Sequence, residues 1–75
     1  MKVRTFLHKL LIGTSTVQEA IVFYREKGAD AAYIPLSLSR EALKDPLAIE
    51  SPAMYKNVVS FRIRSTGYVL EIYAL

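Results

Sequence analysis

The C-terminal end of the chain has the pattern of a β-hairpin. Residues 57–64 (NVVSFRIR) alternate apolar and polar side chains, and residues 68–75 (YVLEIYAL) follow a turn at Thr66-Gly67. Alternation with a period of two is typical of strands whose two faces have different surroundings. A two-residue loop also sets the register of the hairpin. The expected cross-strand pairs are Ile63 with Leu70, Arg62 with Glu71, and Phe61 with Ile72.

Glu71 is the single carboxylate within this otherwise apolar last strand. In the expected register it faces Arg62, and cross-strand pairs of opposite charge are common in hairpins. The same register places Glu71 on one face of the sheet with Ser60, Arg62 and Tyr73. A concave face with such polar and aromatic side chains is typical of small-molecule sites. Glu71 is therefore either half of an ion pair or a residue of a binding site.

Upstream of the hairpin, the sequence predicts a strand, a helix and a second strand. Residues 3–12 (VRTFLHKLLI) are rich in β-branched and large apolar side chains, which favours a strand. A helix is predicted from Thr16, which with Glu19 has the spacing of a capping box, to Gly28. Its apolar stripe recurs at the helical period: Val17, Ala20, Ile21 and Tyr24. Residues 31–36 (AAYIPL) form the next predicted strand.

Residues 37–56 are the least regular part of the chain. Ser39 precedes a short helical segment, REALKD. Asp45 and Ser51 are each followed by proline, the pattern of a helix N-cap with proline at the first helical position. We expect two or three short turns here, packed loosely on the body of the domain. Such a connection either lies over a site or at an interface, or only joins the flanking elements.

Together these elements predict a single α+β domain over residues 1–75, with the order β-α-β-β-β. Its mixed sheet would carry one main helix on one face. A chain of 75 residues buries only about 60% of its unfolded surface, and without cysteine it has no disulfide to stabilise it. Because its hydrophobic content is nevertheless 52%, we expect a homodimer to complete the core.

The charge pattern argues against nucleic-acid and membrane partners. The net charge is +3, and the basic residues form no continuous run. Tyrosines beside arginines can stack single-stranded nucleic acid. However, the β-α-β-β-β order and the missing RNA-binding motif argue against that function. The longest apolar run, residues 20–24, is too short to span a bilayer. We therefore expect a cytoplasmic protein.

Short motifs at both ends of the chain are shared with a known superfamily. The stretch LHKLLIGTSTVQEAIVFYREKGA has a histidine on the predicted first strand and A-x-x-F-Y before a glycine on the predicted helix. The end, TGYVLEIYAL, has the motif G-x-x-h-E, where h is apolar. These motifs resemble one module of the vicinal oxygen chelate superfamily, which includes glyoxalase I, extradiol dioxygenases and bleomycin-resistance proteins. The matching residues are His8, Leu11, Ala20, Phe23, Tyr24, Gly28, Gly67 and Glu71.

This resemblance implies a divalent-metal site held by His8 and Glu71. Two ligands are too few, but a two-fold dimer would supply two histidines and two glutamates. Zn, Ni, Fe or Mn would then chelate neighbouring oxygens of a substrate and stabilise the enolate or oxyanion. Glu71 would also be catalytic by moving protons, and Ser60, Arg62 and Tyr73 would line the site. The resemblance thus implies a metal-dependent lyase or dioxygenase of the glyoxalase type.

A non-enzymatic binding protein fits the same residues. The chain has room for one module where typical members of the superfamily carry two, and Thr14, Ser15 and Thr16 replace the acidic residue usual after the first strand. Without metal, the same face would hold a small molecule. Alternatively, the hydrophobic surface would dock on a partner protein and inhibit it. Because a fold does not decide function, both the enzyme and the binding protein stay as hypotheses.

Overall fold

One main helix packs on one face of a four-stranded sheet. The computed structural model describes residues 1–13, 17–25, 32–64 and 68–75. Its helices and strands are α1 (Val3–Gly13), β1 (Glu19–Tyr24), β2 (Ile34–Leu38), α2 (Arg40–Leu43), β3 (Val58–Ile63) and β4 (Val69–Ala74). Two 3-10 turns, Pro46–Ala48 and Pro52–Tyr55, join α2 to β3.

The sheet is mixed, with the strand order β2-β1-β4-β3. The two central strands, β1 and β4, run parallel, and each pairs with an antiparallel edge strand. The predicted α+β class, with one main helix and a mixed sheet, is therefore confirmed. Because β4 lies at the centre of the sheet, the strand that carries Glu71 is covered by a neighbour on each side.

The predicted order of the first two elements is wrong, because the helix comes before the first strand. Residues 3–12 were predicted as a strand but lie in α1. Val3, Phe6, Leu7 and Leu10 have the i, i+3, i+4, i+7 spacing of a helix with one apolar face. Val3 and Leu7 are fully buried, with Phe6 and Leu10 packed at their margin. The order is therefore α-β-β, the short helix α2, then β-β, and not β-α-β-β-β.

The segment predicted as the main helix forms strand β1. Ala20 and Val22 are buried, while the alternate residues Ile21 and Phe23 point to the opposite face and are partly buried. Five adjacent apolar side chains (AIVFY) suit a central strand that is buried on one face and partly buried on the other. The predicted capping residue Thr16 and the predicted helix end at Gly28 lie outside the described residues.

The short turns predicted in residues 37–56 are confirmed. The Ser39 hydroxyl accepts a hydrogen bond from the Ala42 amide at 3.3 Å, which caps α2. Ser51 accepts one from the Ala53 amide at the same distance, at the start of the second 3-10 turn. Asp45 stands at the N-cap of the first turn but makes no side-chain cap bond. These turns supply buried side chains to the core, namely Leu43, Ala53 and Met54.

The core lies between α1, the turns and one face of the sheet, which we call the helix face. Its buried sheet residues alternate along the strands: Ala20, Val22, Leu38, Leu70, Ile72 and Ala74. Phe61 of β3 also lies on this face, because it is paired with Ile72 and its ring centroid is 4.8 Å from that of Phe6 on α1. We call the opposite side the Glu71 face. All the described helices bury their side chains in the core on the helix face.

The C-terminal hairpin has the predicted register. Phe61 pairs with Ile72, Arg62 with Glu71 and Ile63 with Leu70. The register shifts between Val58 and Ser60, where β3 has a β-bulge. The predicted loop at Thr66-Gly67 lies outside the described residues. The strand predicted over residues 31–36 is observed as β2, Ile34–Leu38.

Candidate functional site

Glu71 lies at the centre of the sheet and is held by two arginines. It is only 1% exposed, although it points away from the main core. The Arg62 Nε donates to Glu71 Oε1 at 2.5 Å, and an Arg64 terminal nitrogen donates to Oε2 at 2.9 Å. The arginine side chains themselves are 67% and 51% exposed. Each carboxylate oxygen thus accepts a hydrogen bond from a guanidinium group.

This arrangement stabilises the ionised form of Glu71. The hydrogen bond from Arg64, followed by the one from Arg62, lowers the pKa of the Glu71 carboxyl below its ordinary value, despite the opposing effect of burial. In return, the hydrogen bond and the negative charge of Glu71 raise the pKa of the Arg64 guanidinium. Among the described residues, no buried side-chain nitrogen or oxygen lacks a hydrogen-bond partner. Glu71 is therefore a satisfied, charged group.

An aromatic cluster lies beside the ion pair on the Glu71 face. Phe23 of β1 and Tyr73 of β4 are paired in register, and their rings stack at 5.1 Å with an interplanar angle of 15°. The Tyr33 ring meets Tyr73 edge-on at 5.7 Å, and the Arg25 guanidinium carbon lies 4.4 Å from the Tyr33 ring centroid. Edge-on and stacked rings with an arginine over one of them are favourable arrangements. The cluster lies two residues along β4 from Glu71, roughly 7 Å away.

The structure brings together most of the predicted site residues. Arg62 pairs with Glu71 and Ser60 pairs with Tyr73, so these four lie on one face of the β3–β4 ladder. Ser60 and Arg62 are exposed, whereas Tyr73 is half-buried. The predicted grouping of these four residues is thus confirmed as geometry, and their role in binding stays a prediction.

Three residues of this surface were not predicted: Phe23, Arg25 and Tyr33. Because residues 17–27 were predicted as a helix, Phe23 was assigned to the apolar stripe of that helix and not to the Glu71 face of the sheet. The alternation of β1, with Ala20 and Val22 on one side and Ile21 on the other, is the sequence signal that places Phe23 on the Glu71 face.

His8 does not lie near Glu71 within one chain. It is exposed on α1, next to Leu7, which is buried in the core on the helix face. Glu71 points to the opposite face of the sheet. In the part of the chain that the structure describes, no three or more His, Cys, Asp or Glu side chains are grouped so that they could hold a metal ion. A metal site shared between two chains, with Zn, Ni, Fe or Mn, stays a prediction.

The proposed vicinal oxygen chelate resemblance also stays a prediction. The secondary structure implied by its first motifs is not observed, since His8 lies on a helix and Phe23 on a strand. The closing-strand motif does fall on a strand, with Glu71 on β4. Comparisons with protein-family models, curated proteins and solved structures give no match for this chain. None of the described helices is long and apolar enough to cross a membrane.

Proposed function

We propose that this chain is a non-catalytic binding module that holds a small molecule on its Glu71 face. The ligand class is an anionic group attached to a flat ring. The observation that carries the proposal is the double hydrogen bond from Arg62 and Arg64 to the two oxygens of Glu71. Through these two bonds, Glu71 holds two exposed arginine side chains in place.

The same contacts make Glu71 a poor catalytic base or metal ligand. A general base works best with a pKa near the operating pH, whereas the arginines lower the pKa of Glu71. A metal ion would compete with the two guanidinium groups for the carboxylate oxygens, each of which already accepts one hydrogen bond. Removing the partners of a buried charge is costly. A lyase of the glyoxalase type would therefore need a rearranged Glu71 face.

The arginines supply the anion-binding part of the surface. A guanidinium carries five N–H donors in a planar fork, and Arg62 and Arg64 each use one nitrogen on Glu71. Since both side chains are more than half exposed, their remaining nitrogens face solvent. Such a fork suits carboxylate or phosphate oxygens. Glu71 fixes the two forks in position, which lowers the entropy lost on binding.

The aromatic cluster supplies the part of the surface that contacts a ring. Phe23, Tyr33 and Tyr73 are half-buried, and a ligand ring would contact the exposed part of this cluster. Aromatic rings bind other flat rings by offset stacking or edge-on contact. Ser60 adds an exposed hydroxyl opposite Tyr73. An anion that binds the arginines would thus carry its ring toward Tyr73.

A three-ligand titration followed by amide NMR tests this function. Adenosine 5′-monophosphate has both parts, ribose 5-phosphate has only the anion, and adenosine has only the ring. We expect chemical shifts of Arg62, Arg64 and Tyr73 to respond, with the nucleotide binding more tightly than either fragment. A triple Arg62→Gln, Arg64→Gln, Glu71→Gln variant, which leaves no unpaired buried charge, should lose the response to ribose 5-phosphate, while Arg40→Gln on α2 should keep it.

The results of this titration distinguish a free small-molecule ligand from a nucleic acid. No response on the Glu71 face to any of the three probes contradicts the proposal. A short single-stranded oligonucleotide that binds through the same residues about 100-fold more tightly than the nucleotide would identify nucleic acid as the source of the phosphate and the ring. That result would also overturn the expectation that the chain has no nucleic-acid partner.

A further inference from the structure

Strand β3 lies at the edge of the sheet, and among the described residues no strand pairs with its outer side, which we call the free edge. Its side chains at 59, 61 and 63 are about half exposed: Val59 59%, Phe61 51% and Ile63 51%. Edge strands of natural proteins are commonly protected by charge, proline, a bulge or a covering segment, because an open edge pairs with other strands. β3 has a bulge at its start, between Val58 and Ser60, and its one charged residue, Arg62, is paired with Glu71 of β4.

Backbone hydrogen bonds define how much of this edge is free. The Arg64 amide donates to the Val69 carbonyl at 2.9 Å, toward β4. In an antiparallel ladder, inward and outward groups alternate, so the amides and carbonyls of Phe61 and Ile63 point away from β4. The start of β3 is covered instead by the N-terminus, since the Val58 amide donates to the Met1 carbonyl at 2.8 Å. The free edge therefore runs over residues 59–63, with outward-facing backbone groups at Phe61 and Ile63 and the bulge at Val59 interrupting the alternation.

We propose that this edge pairs antiparallel with the same edge of a second copy, about a two-fold axis at Phe61. In this register Phe61 lies opposite Phe61 of the second copy, Ile63 opposite Val59, and Arg62 opposite Ser60. Apolar residues thus meet apolar ones and no two like charges are opposed. The dimer is independent of the ligand proposed for the Glu71 face.

The two neighbouring registers, with the two-fold axis at Arg62 or at Ser60, are less favourable. An axis at Arg62 would place two arginines directly opposite one another, and like charges in that position are destabilising. An axis at Ser60 would pair residue 58 with residue 62, so it would have to displace Met1 from the Val58 amide. The register at Phe61 fits the free edge, residues 59–63, without either cost.

In the proposed dimer, the helix faces of the two copies lie on the same side of the combined sheet. Phe61 lies against Phe6 of α1, so two copies of this aromatic pair would meet at the axis. The two four-stranded sheets would form one sheet of eight strands, with Arg62 and Arg64 of both copies near its middle. This dimer explains why so apolar an edge strand is exposed in the single chain.

Single cysteines test the register, because the chain contains none. Directly opposed residues in a hydrogen-bonded pair have Cα atoms about 5.5 Å apart, which is within the range of a disulfide. Under mild oxidation, Phe61→Cys should form a covalent dimer, whereas Ser60→Cys and Arg62→Cys should not. Val59→Cys mixed with Ile63→Cys, which keeps Phe61, should also cross-link, while neither variant should do so alone.

Light scattering on a size-exclusion column tests the surface itself. The unmodified chain should be a dimer, and Ile63→Lys should raise its dissociation constant at least about tenfold. Leu47→Lys, at an exposed leucine on the first 3-10 turn, should leave the dimer unchanged. A monomer at all concentrations contradicts the proposal, as does a dimer that Ile63→Lys does not weaken. Cross-linking through Arg62→Cys and not through Phe61→Cys would overturn the register.

Discussion

Arg62 and Glu71 stand directly opposite one another on β3 and β4, with the Arg62 Nε 2.5 Å from Glu71 Oε1. The sequence predicts this pair from the alternation of the two strands. Arg64 adds a second hydrogen bond, at 2.9 Å to the other carboxylate oxygen. With this second hydrogen bond, each carboxylate oxygen of Glu71 accepts from an arginine. The Glu71 carboxylate thus holds two arginines on one face of the sheet.

The Glu71 ion pairs should make stability depend on pH in acid. The pKa of Glu71 is lowered in the folded protein, so its contribution is fully present above its unfolded pKa of about 4.3. As the pH falls below about 4.3, the unfolded state binds a proton that the folded state does not, and this stability is lost progressively until the pH has passed the lower, folded pKa. Thermal unfolding from pH 7 to pH 2 should show a steeper loss for the unmodified chain than for Glu71→Gln. Equal slopes would contradict this assignment.

Removing both arginines should destabilise the fold more than removing Glu71 with them. The double variant Arg62→Gln, Arg64→Gln leaves a buried carboxylate without its partners, and an unpaired buried charge is strongly unfavourable. The triple variant with Glu71→Gln removes that charge. Denaturant unfolding near pH 7 should therefore rank the triple variant above the double variant. The reverse order would show that Glu71 is not buried against these arginines.

Alanine substitutions on the buried and the exposed face of α1 should lower the free energy of unfolding by different amounts. Leu7 is fully buried in the core, and Leu→Ala at such a site costs about 2–5 kcal/mol. His8 is exposed, so His8→Ala should change the free energy of unfolding by less than about 0.5 kcal/mol. Urea unfolding of both variants measures the difference. Similar losses from both would indicate that residues 3–12 are not this helix.

The cap of α2 should contribute to stability despite the shortness of the helix. The Ser39 hydroxyl accepts the Ala42 amide, and replacing a serine N-cap by alanine typically costs about 0.5–2 kcal/mol. Ser37→Ala, at an exposed serine on β2, is the matched control and should be close to neutral. If the two variants unfold alike, the cap bond makes no net contribution.

The hairpin could be predicted from the sequence because its information is local. Alternation on both sides of a short turn fixes which residues face one another, so the pair of Arg62 with Glu71 follows from counting. The turns at Ser39 and Ser51 were also predictable, since capping depends on a side chain within a few residues of the helix start.

The first two elements were exchanged because each sequence matches the period of its predicted element only in part. As a strand, residues 3–12 have no clean apolar face, whereas as a helix they place Val3, Phe6, Leu7 and Leu10 on one stripe. Conversely, a helix over residues 17–27 leaves Val22 without a place in its apolar stripe. In a central strand, Val22 is buried on the helix face. Testing the competing period against each mismatch would have corrected both predictions.

The aromatic half of the site depends on contacts between distant parts of the chain. Phe23 meets Tyr73 only because β1 lies parallel to β4. Parallel pairing requires a long crossover connection, so no local pattern shows which strands will be neighbours. The prediction of Tyr73 and Arg62 as site residues came from the hairpin alone.

The most direct test of the central claim is a site-specific titration of the Glu71 carboxyl carbon by NMR, with and without Zn²⁺. If Glu71 holds Arg62 and Arg64, its pKa should lie below the ordinary value of about 4.3, and Zn²⁺ should not change its resonance. An ordinary or raised pKa would contradict the account. A resonance that shifts with Zn²⁺, with the shift lost in His8→Ala, would instead identify the shared metal site of a glyoxalase-type protein.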